Sequence, residues 1–344
     1  MTLPDPRGTR DIHPADGRTS PARGGPGASR CCAVGGDRYP LCVPTTRVAL
    51  ATCSILPDLD PDDMPLLGAL AERGVDAVAT VWDDKDVDWD SFDLVVVRST
   101  WDYSSRQDEF IAWARSVPRL ANHAEVIAWN TDKYYLKTLG EMGIPIVRTL
   151  WLDPDRHLTS QAIHTRLPAH GDYVIKPTVS AGSRDTARYQ ENTAQARGQA
   201  ILHARELLRS GRHVMVQPYL NQVDVAGETG LVFIAGEFSH AIRKNAMLSR
   251  GHRPTQGLYQ QEVMRSVEAT EAELALAKRA LEAAHTVLGA AGDALLFARV
   301  DMLPGDDGEP ILLELEFTEP SLFMSKAPDS LGRFADAIVA RAAR

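Results

Sequence analysis

The chain lacks the marks of several large functional classes. Its four cysteines, Cys31, Cys32, Cys42 and Cys53, form no CxxC pair, which argues against structural zinc and redox dithiols. Free thiols in a reducing, cytoplasmic compartment are expected. There is no GxxxxGK[ST] loop and so no Walker-type phosphate cradle. No apolar run approaches the roughly 20 residues that span a bilayer, and no membrane association is expected. Cations are the minority, 37 Lys and Arg against 46 Asp and Glu, for a net charge of -9. Binding to nucleic acid, whose backbone calls for clustered Lys and Arg, is not expected. Small nucleotides stay open, since they need only a few local cations.

What is present is enough for two or three packed layers and more than one core: 344 residues, 44% of them hydrophobic. Residues 1–45 stand apart. They are rich in Gly, Pro, Arg and Asp, and have neither a helical nor a strand period. Such a segment cannot bury enough apolar area to offset its chain entropy, and it lacks the apolar centre of a secretory signal. A disordered extension, dispensable for activity, is expected.

Organised sequence begins at Arg47. Apolar runs at 48–52, 75–81 and 93–99 predict strands, the last with the β-branched continuity of a parallel strand covered on both faces. Helical spacing at 64–73 and about 106–116 completes a small open α/β domain over 46–130. A second segment, 131–217, predicts helix 132–142, strand 146–152, helix 160–167, strand 173–176, helix 193–208 and strand 213–217. A third, 218–344, predicts strands at 231–234, 238–242, 295–302 and 311–317, with helices at 269–288 and 331–342. Its hairpins and few crossovers give it α+β character.

The sharpest chemical signal is the predicted hairpin of 297–301 with 311–317. Glu314 and Glu316 alternate with Leu313, Leu315 and Phe317, so both carboxylates share one face of a strand. Arg299 and Asp301 share a face of the other. If those faces coincide, three acids and a guanidinium converge. Acids on an apolar hairpin are costly unless neutralised, and magnesium, a hard cation that bridges phosphates, neutralises them. The alternative is an exposed amphipathic hairpin. Lys176 ends a strand before the small-residue loop Thr178–Thr186, a pattern that suits phosphate binding through Ser180, Gly182 and Ser183 backbone amides or is simply a solvated edge. The strand at 213–217 breaks at Pro218, which would free backbone groups around Gln217, Tyr219 and Leu220 for a base edge. Asp224 or Glu228 could then take ribose hydroxyls. Arg243 and Lys244, adjacent cations at a strand end, could meet phosphate or a substrate carboxylate. His240 reads as a structural hydrogen-bonder. The polar stretch 245–256 could order over bound ligand.

These pieces, in this order, resemble the ATP-grasp superfamily over about residues 47–344. The resemblance implies three subdomains, with ATP gripped between the second and third and magnesium or manganese beside it. Lys133, in Asn130-Thr131-Asp132-Lys133, and Lys176 match the nucleotide lysines. Gln217, Pro218, Tyr219 and Leu220 match the adenine hinge. Glu228, with Asp224 as alternative, matches the ribose acid. Arg299 matches the arginine facing the transferred phosphate, and Lys244, one of the two strand-end cations, is a second catalytic candidate. Asp301, Glu314 and Glu316 match the metal ligands, although many members carry Glu-x-Asn where this chain has Glu314-Leu-Glu316, so Thr318 in a shifted register is the competing ligand.

Within the superfamily the chain is similar to the actinobacterial O-ureido-D-serine cyclo-ligases of D-cycloserine biosynthesis. The pieces that match are Ala51–Ser54, Leu56–Asp60, Val97–Tyr103, Ser239–Ala241, Glu314–Glu316 and Glu319–Phe323. The resemblance implies activation of a small amino-acid-like carboxylate as an acyl phosphate, then attack by a nitrogen, here within one molecule. Joining of two separate molecules and a non-catalytic nucleotide-binding role are the alternatives. A homo-oligomer is compatible with all three. Substrate is expected at the N-terminal domain. Arg98 and Ser99 lie just past a strand's C-terminal end, where open α/β sheets bind ligands. Arg98 could pair a substrate carboxylate or form a salt bridge across the domain seam, and Asp102 or Asp60 could take an ammonium.

Overall fold

The computed structural model describes residues 45–190, 193–246 and 263–344. The expected N-terminal extension, with Cys31, Cys32 and Cys42, and most of the 245–256 stretch lie outside the described residues. Cys53 is buried and free. Among the described residues no helix is long and apolar enough to cross a membrane.

Three sheets follow one another along the chain. The first is fully parallel. It is built from β1 (Arg47–Thr52), α1 (Pro65–Ala71), β2 (Asp76–Val81), β3 (Leu94–Val97), α2 (Gln107–Ser116) and the short β4 (Leu120–Ala121), in strand order β2-β1-β3-β4. Gly74 follows α1 with φ of 75°, a left-handed turn that glycine adopts without strain. Two helices come next: α3 (Ala124–Asn130), which the apolar pattern did not predict, and α4 (Tyr135–Glu141), within the helix expected over 132–142. The second sheet is antiparallel, in order β5-β8-β6-β7. Its elements are β5 (Leu150–Leu152), α5 (Ser160–Arg166), β6 (Tyr173–Pro177), β7 (Ala187–Tyr189), α6 (Ala194–Arg209) and β8 (Val214–Pro218). After the single turn α7 (Val223–Ala226) comes the third sheet. It comprises β9 (Glu228–Ile234), β10 (Glu237–Lys244), β11 (Met264–Val267), α8 (Glu271–Leu288), β12 (Phe297–Pro304) and β13 (Pro310–Glu316), antiparallel in order β11-β10-β9-β12-β13, with α9 (Pro328–Ala342) closing the chain.

The strand expected over 146–152 is divided between two sheets. Ile146 pairs with Leu312, and the Leu312 N–H donates to the Pro145 carbonyl at 2.8 Å, so this part extends the third sheet at β13. Only Leu150–Leu152 joins the second sheet, through β8. One apolar run supplies both, which is why the pattern alone could not separate them.

The third sheet positions the chemistry because its two faces do different work. Ala298, Val300 and Met302 point to a core with Leu276, Ala277, Ala280 and Ala284 of α8 and Tyr135, Leu136 and Leu139 of α4. Phe297 and, on β9, Val232 and Ile234 point to the opposite side, onto Phe334 and Ile338 of α9 and the apolar face of the parallel sheet. Strand alternation then puts Arg299 and Asp301 on the side of Phe297, away from α8. Strict alternation back from Glu314 would put Leu312 on the acids' face. A register slip between Asp301 and Met302 prevents this and returns Leu312 to the core beside Leu315.

Candidate active site

The hairpin faces do coincide. Arg299 pairs across the ladder with Glu316, and Asp301 with Glu314. Ligand atoms of Asp301, Glu314 and Glu316 lie within 4.8 Å of one another. Arg299 Nε and Nη2 donate to the two Asp301 oxygens, each at 2.8 Å, and Nη2 also reaches Glu316 at 2.5 Å. Gly230 of β9 lies opposite Asp301, and a Cβ there would come within 2.9 Å of Asp301 Oδ1, so glycine leaves room for the carboxylate. Thr318 is not part of the cluster: its hydroxyl donates to Asn130 Oδ1 at 3.1 Å. Asn130 also bonds the Leu315 carbonyl and the Phe317 amide, which pins the acid strand onto α3.

The lysines converge on the same place from two elements. Lys133, just ahead of α4, donates to the Ser180 carbonyl at 2.8 Å and stands 3.4 Å from Glu314. It thereby bridges the small-residue loop and the acid strand. Lys176, on β6, lines the same cavity with Ser180, Gly182 and Ser183. In that loop Gly182 and Ser183 are both left-handed, with φ of 58°. Lys244, at the end of β10, donates to Glu228 at 2.6 Å and to Asp301 at 3.0 Å. Gln217, Pro218, Tyr219 and Leu220 form a further stretch of the wall, with Glu228 nearby. The hinge is less open than its sequence suggested, because the Tyr219 N–H donates to the Asp172 carbonyl at 2.8 Å.

Charge balance explains the protonation of these groups. Burial would raise Asp301, but Arg299 and Lys244 overcome it and hold this carboxyl below the ordinary range. Burial likewise opposes ionisation of Glu314, and Lys133 and Lys176 outweigh it. Glu316 goes the other way. Burial, with Asp301 and Glu314 alongside, pushes it well above the usual range despite Arg299. Lys176 is pulled down by burial and by Lys133, with Glu314 opposing.

Several expected contributors lie elsewhere. Arg98 does not line the cavity. Its buried guanidinium donates to Asp63 Oδ1 at 2.9 Å and to the Pro320 carbonyl at 2.8 Å, and sits over the rings of Phe297 and Phe334. Of its two expected roles, the structure shows the salt bridge. Ser99 accepts from the Asp60 amide and donates to Asp63. Asp102 accepts from Trp82 Nε1 and Arg106, so it too is structural. Arg243 points away from Lys244, as neighbours on a strand must, and pairs with Glu273 at 3.3 Å. Asp224 lies outside the cavity wall, bonded to Tyr219 and Arg188, which leaves Glu228 as the acid at the cavity. His240 is held between the Ser239 hydroxyl and the Leu322 carbonyl.

The cavity enclosed by these groups is about 800 Å³. Beside Asp60 the wall holds Trp101, which the sequence reads as a packing residue and which does join the core of the parallel sheet, together with Tyr103, Glu319 and Phe323, to which the sequence had given no individual role. Trp101 Nε1 donates to the Glu319 carbonyl at 2.9 Å. Phe323, left-handed at φ 51°, carries the Arg299 guanidinium 5.2 Å above its ring. That conformation is uncommon for a bulky residue and persists only where the surroundings fix it.

A family model described as the N-terminal domain of D-cycloserine synthetase DcsG matches residues 48–122. The cycloserine biosynthesis protein DcsG of Streptomyces lavendulae is 37% identical over 302 residues, covering 86% of this chain and 98% of that protein. The chain belongs to the DcsG family of ATP-grasp ligases. The crystal structure of D-cycloserine synthetase DcsG superposes with a TM-score of 0.76 at 36% identity, over 86% of this chain and 99% of that one. The ATP-grasp ligase PsnB, complexed with minimal precursor, Mg and ADP, shares the fold alone, with a TM-score of 0.53 at 19% identity over 86% and 98% of the two chains. The DcsG-family chain is therefore an ATP-dependent ligase, of a superfamily that uses ATP and magnesium. Its acid cluster fits a divalent ion by its chemistry: three hard oxygen donors meet, and one of them, Glu316, is driven toward the protonated form by burial and by the other two carboxylates, a cost a cation would relieve.

Proposed function

We propose that this DcsG-family ligase closes a ring. It activates the carboxylate of O-ureido-D-serine as an acyl phosphate, the oxygen-bound ureido nitrogen displaces the phosphate to close the ring, and hydrolytic loss of the carbamoyl group from that nitrogen, as carbon dioxide and ammonia, leaves D-cycloserine. The relationship to D-cycloserine synthetase motivates the substrate. The observation that carries the chemistry is one cavity whose wall includes Asp301's partners Glu314 and Glu316, the cations Lys133, Lys176, Lys244 and Arg299, and the N-terminal residues Asp60, Trp101 and Tyr103.

A carboxylate at neutral pH is a poor electrophile, and phosphorylation supplies its leaving group. In this reading Lys133 and Lys176, with the backbone of Ser180, Gly182 and Ser183, hold phosphate oxygens. Gln217, Pro218, Tyr219 and Leu220 flank the base, and Glu228 takes the ribose hydroxyls. Asp301, Glu314 and Glu316 would hold magnesium, or manganese in its stead, which when bound supplies charge that bridges phosphate oxygens. Arg299 and Lys244 offset negative charge on the transferred phosphoryl group. Positioning of carboxylate against phosphorus supplies most of the remainder. The second and third sheets act as the two jaws on the nucleotide, and the parallel sheet presents substrate.

ADP release tests the reading. Purified protein with ATP and magnesium should release ADP when given O-ureido-D-serine, and not when given pairs of amino acids. Stimulation by an amino-acid pair alone would replace cyclisation with intermolecular ligation.

A further inference from the structure

The backbone that follows β13 is anchored from two sides. From the N-terminal domain, Trp101 Nε1 and Arg98 hold the Glu319 and Pro320 carbonyls. Asp62 accepts the Met324 and Ser325 amides at 2.8 and 3.0 Å. From the third sheet, Arg299 Nη1 donates to the Ser321 carbonyl at 2.9 Å, and His240 Nε2 meets the Leu322 carbonyl at 2.8 Å. Leu322 and Met324 join the core between α9 and the parallel sheet. Phe323, between them, borders the cavity instead. Its left-handed backbone is a cost that such anchoring can sustain, and strain of this kind collects at functional sites.

Two cations of the site stand over this ring. Arg299 Cζ lies 5.2 Å and Lys244 Nζ 6.0 Å from its centroid. The face of an aromatic ring is electron-rich and attracts cations, most strongly where water is excluded. The carboxylates that bind the same two cations are Asp301, Glu316 and Glu228, the acids assigned above to metal and ribose. The ring is a neutral partner outside that set. We infer that Phe323 is a positioning residue for phosphoryl transfer: its ring face holds Arg299 and Lys244 at the cavity by cation–π attraction, against the pull of the acids. The inference rests on the assignment of those cations to the transferred phosphoryl group. Without the ring face both would draw closer to the carboxylates, and charge on the phosphoryl oxygens would lose part of its compensation.

Fluorination of the ring at position 323 tests this with almost no change of shape, because each fluorine withdraws electron density from the face. With ATP, magnesium and O-ureido-D-serine, kcat for ADP release should fall stepwise through the mono-, di- and trifluorinated phenylalanines. The trifluorinated protein should be slower by about tenfold, the scale of a desolvated cation–π contact. Phe323→Leu should lose at least as much, and Phe323→Tyr, which keeps the face, should stay near wild type. Calorimetry reads the same effect without turnover. Affinity for the β,γ-imido analogue of ATP should weaken along the series by about tenfold, while affinity for ADP, which lacks the γ-phosphoryl group, stays constant. A flat series, equal weakening of ADP and analogue, or Phe323→Tyr as slow as Phe323→Leu would each overturn the inference. The fluorinated proteins carry the test should Phe323→Leu fail to fold. If the wild-type protein releases no ADP with O-ureido-D-serine, the ring-closing reading falls, while the two affinities still decide the role of Phe323.

Discussion

Asp301 and Glu314 face each other across the β12–β13 ladder as the last pair before its register slips. The slip keeps Leu312 in the core without moving either acid off the cavity face. Glu314 also meets Lys133 at 3.4 Å, so it joins the acid cluster to the phosphate-side lysines. Glu314→Gln should lower substrate-dependent ADP release by about 10²–10³-fold, the scale for a lost electrostatic group. Its far-UV circular dichroism should match wild type. Unchanged turnover would favour a binding module over an enzyme.

Lys244 lies 3.0 Å from an Asp301 oxygen that Arg299 already holds. Its ammonium competes with any metal for the same carboxylate. Lys244→Met should tighten Mn²⁺ binding in the absence of nucleotide by about tenfold, equivalent to ~1.4 kcal/mol. It should slow ADP release at the same time. Electron paramagnetic resonance of free Mn²⁺ measures the first effect. An unaltered Mn²⁺ affinity would remove Asp301 from the ligand set.

Arg98 and Asp63 are buried together, so their variants should act on stability before catalysis. Arg98→Ala leaves Asp63 uncompensated and should cost about 3–5 kcal/mol. Arg98→Met combined with Asp63→Leu should recover most of it. Urea unfolding measures both. If Arg98→Ala instead raised only the substrate KM, with the unfolding midpoint unmoved, a ligand-binding role would return.

The raised Glu319 carboxyl makes stability depend on pH in metal-free protein. A folded-state value lifted from 4.5 to about 7 stabilises the fold at pH below 4.5 and withdraws that support as pH rises through 7. The loss amounts to about 3 kcal/mol by pH 8. Glu319→Gln should therefore be the more stable protein at pH 8 and differ little from wild type near pH 4. Equal stability of the two at pH 8 would mean that Glu319 titrates normally.

How far the sequence could lead is visible residue by residue. The acid hairpin was legible because its period of two is local and its apolar partners declare which face is buried. Lys133 and Lys176 were found through a motif in which a few neighbouring residues carry the signal. Arg98 was ambiguous because its partners, Asp63 and Pro320, lie 35 and 222 positions away. Arg243 could have been set aside by alternation alone, since two adjacent strand residues cannot both face one cavity. Glu319 sits past the end of β13 in a stretch without period, where nothing short of the fold joins it to Trp101. The helix α3, seven residues long, hid inside the expected end of the first domain because its apolar residues are split between two cores, Ala124 and Ile127 toward the parallel sheet and Val126 toward the third sheet.

The division of the 146–152 run has a mechanical consequence. Ile146 is stitched to the acid strand and Leu150 to the neighbouring sheet, leaving Arg148 and Thr149 as the only link between them on that side. A rotation of one sheet against the other would turn on those two residues and on the second crossing, 219–227, between β8 and β9. The first of these crossings lies beside the acid strand, so such a rotation would leave the floor of the pocket undistorted.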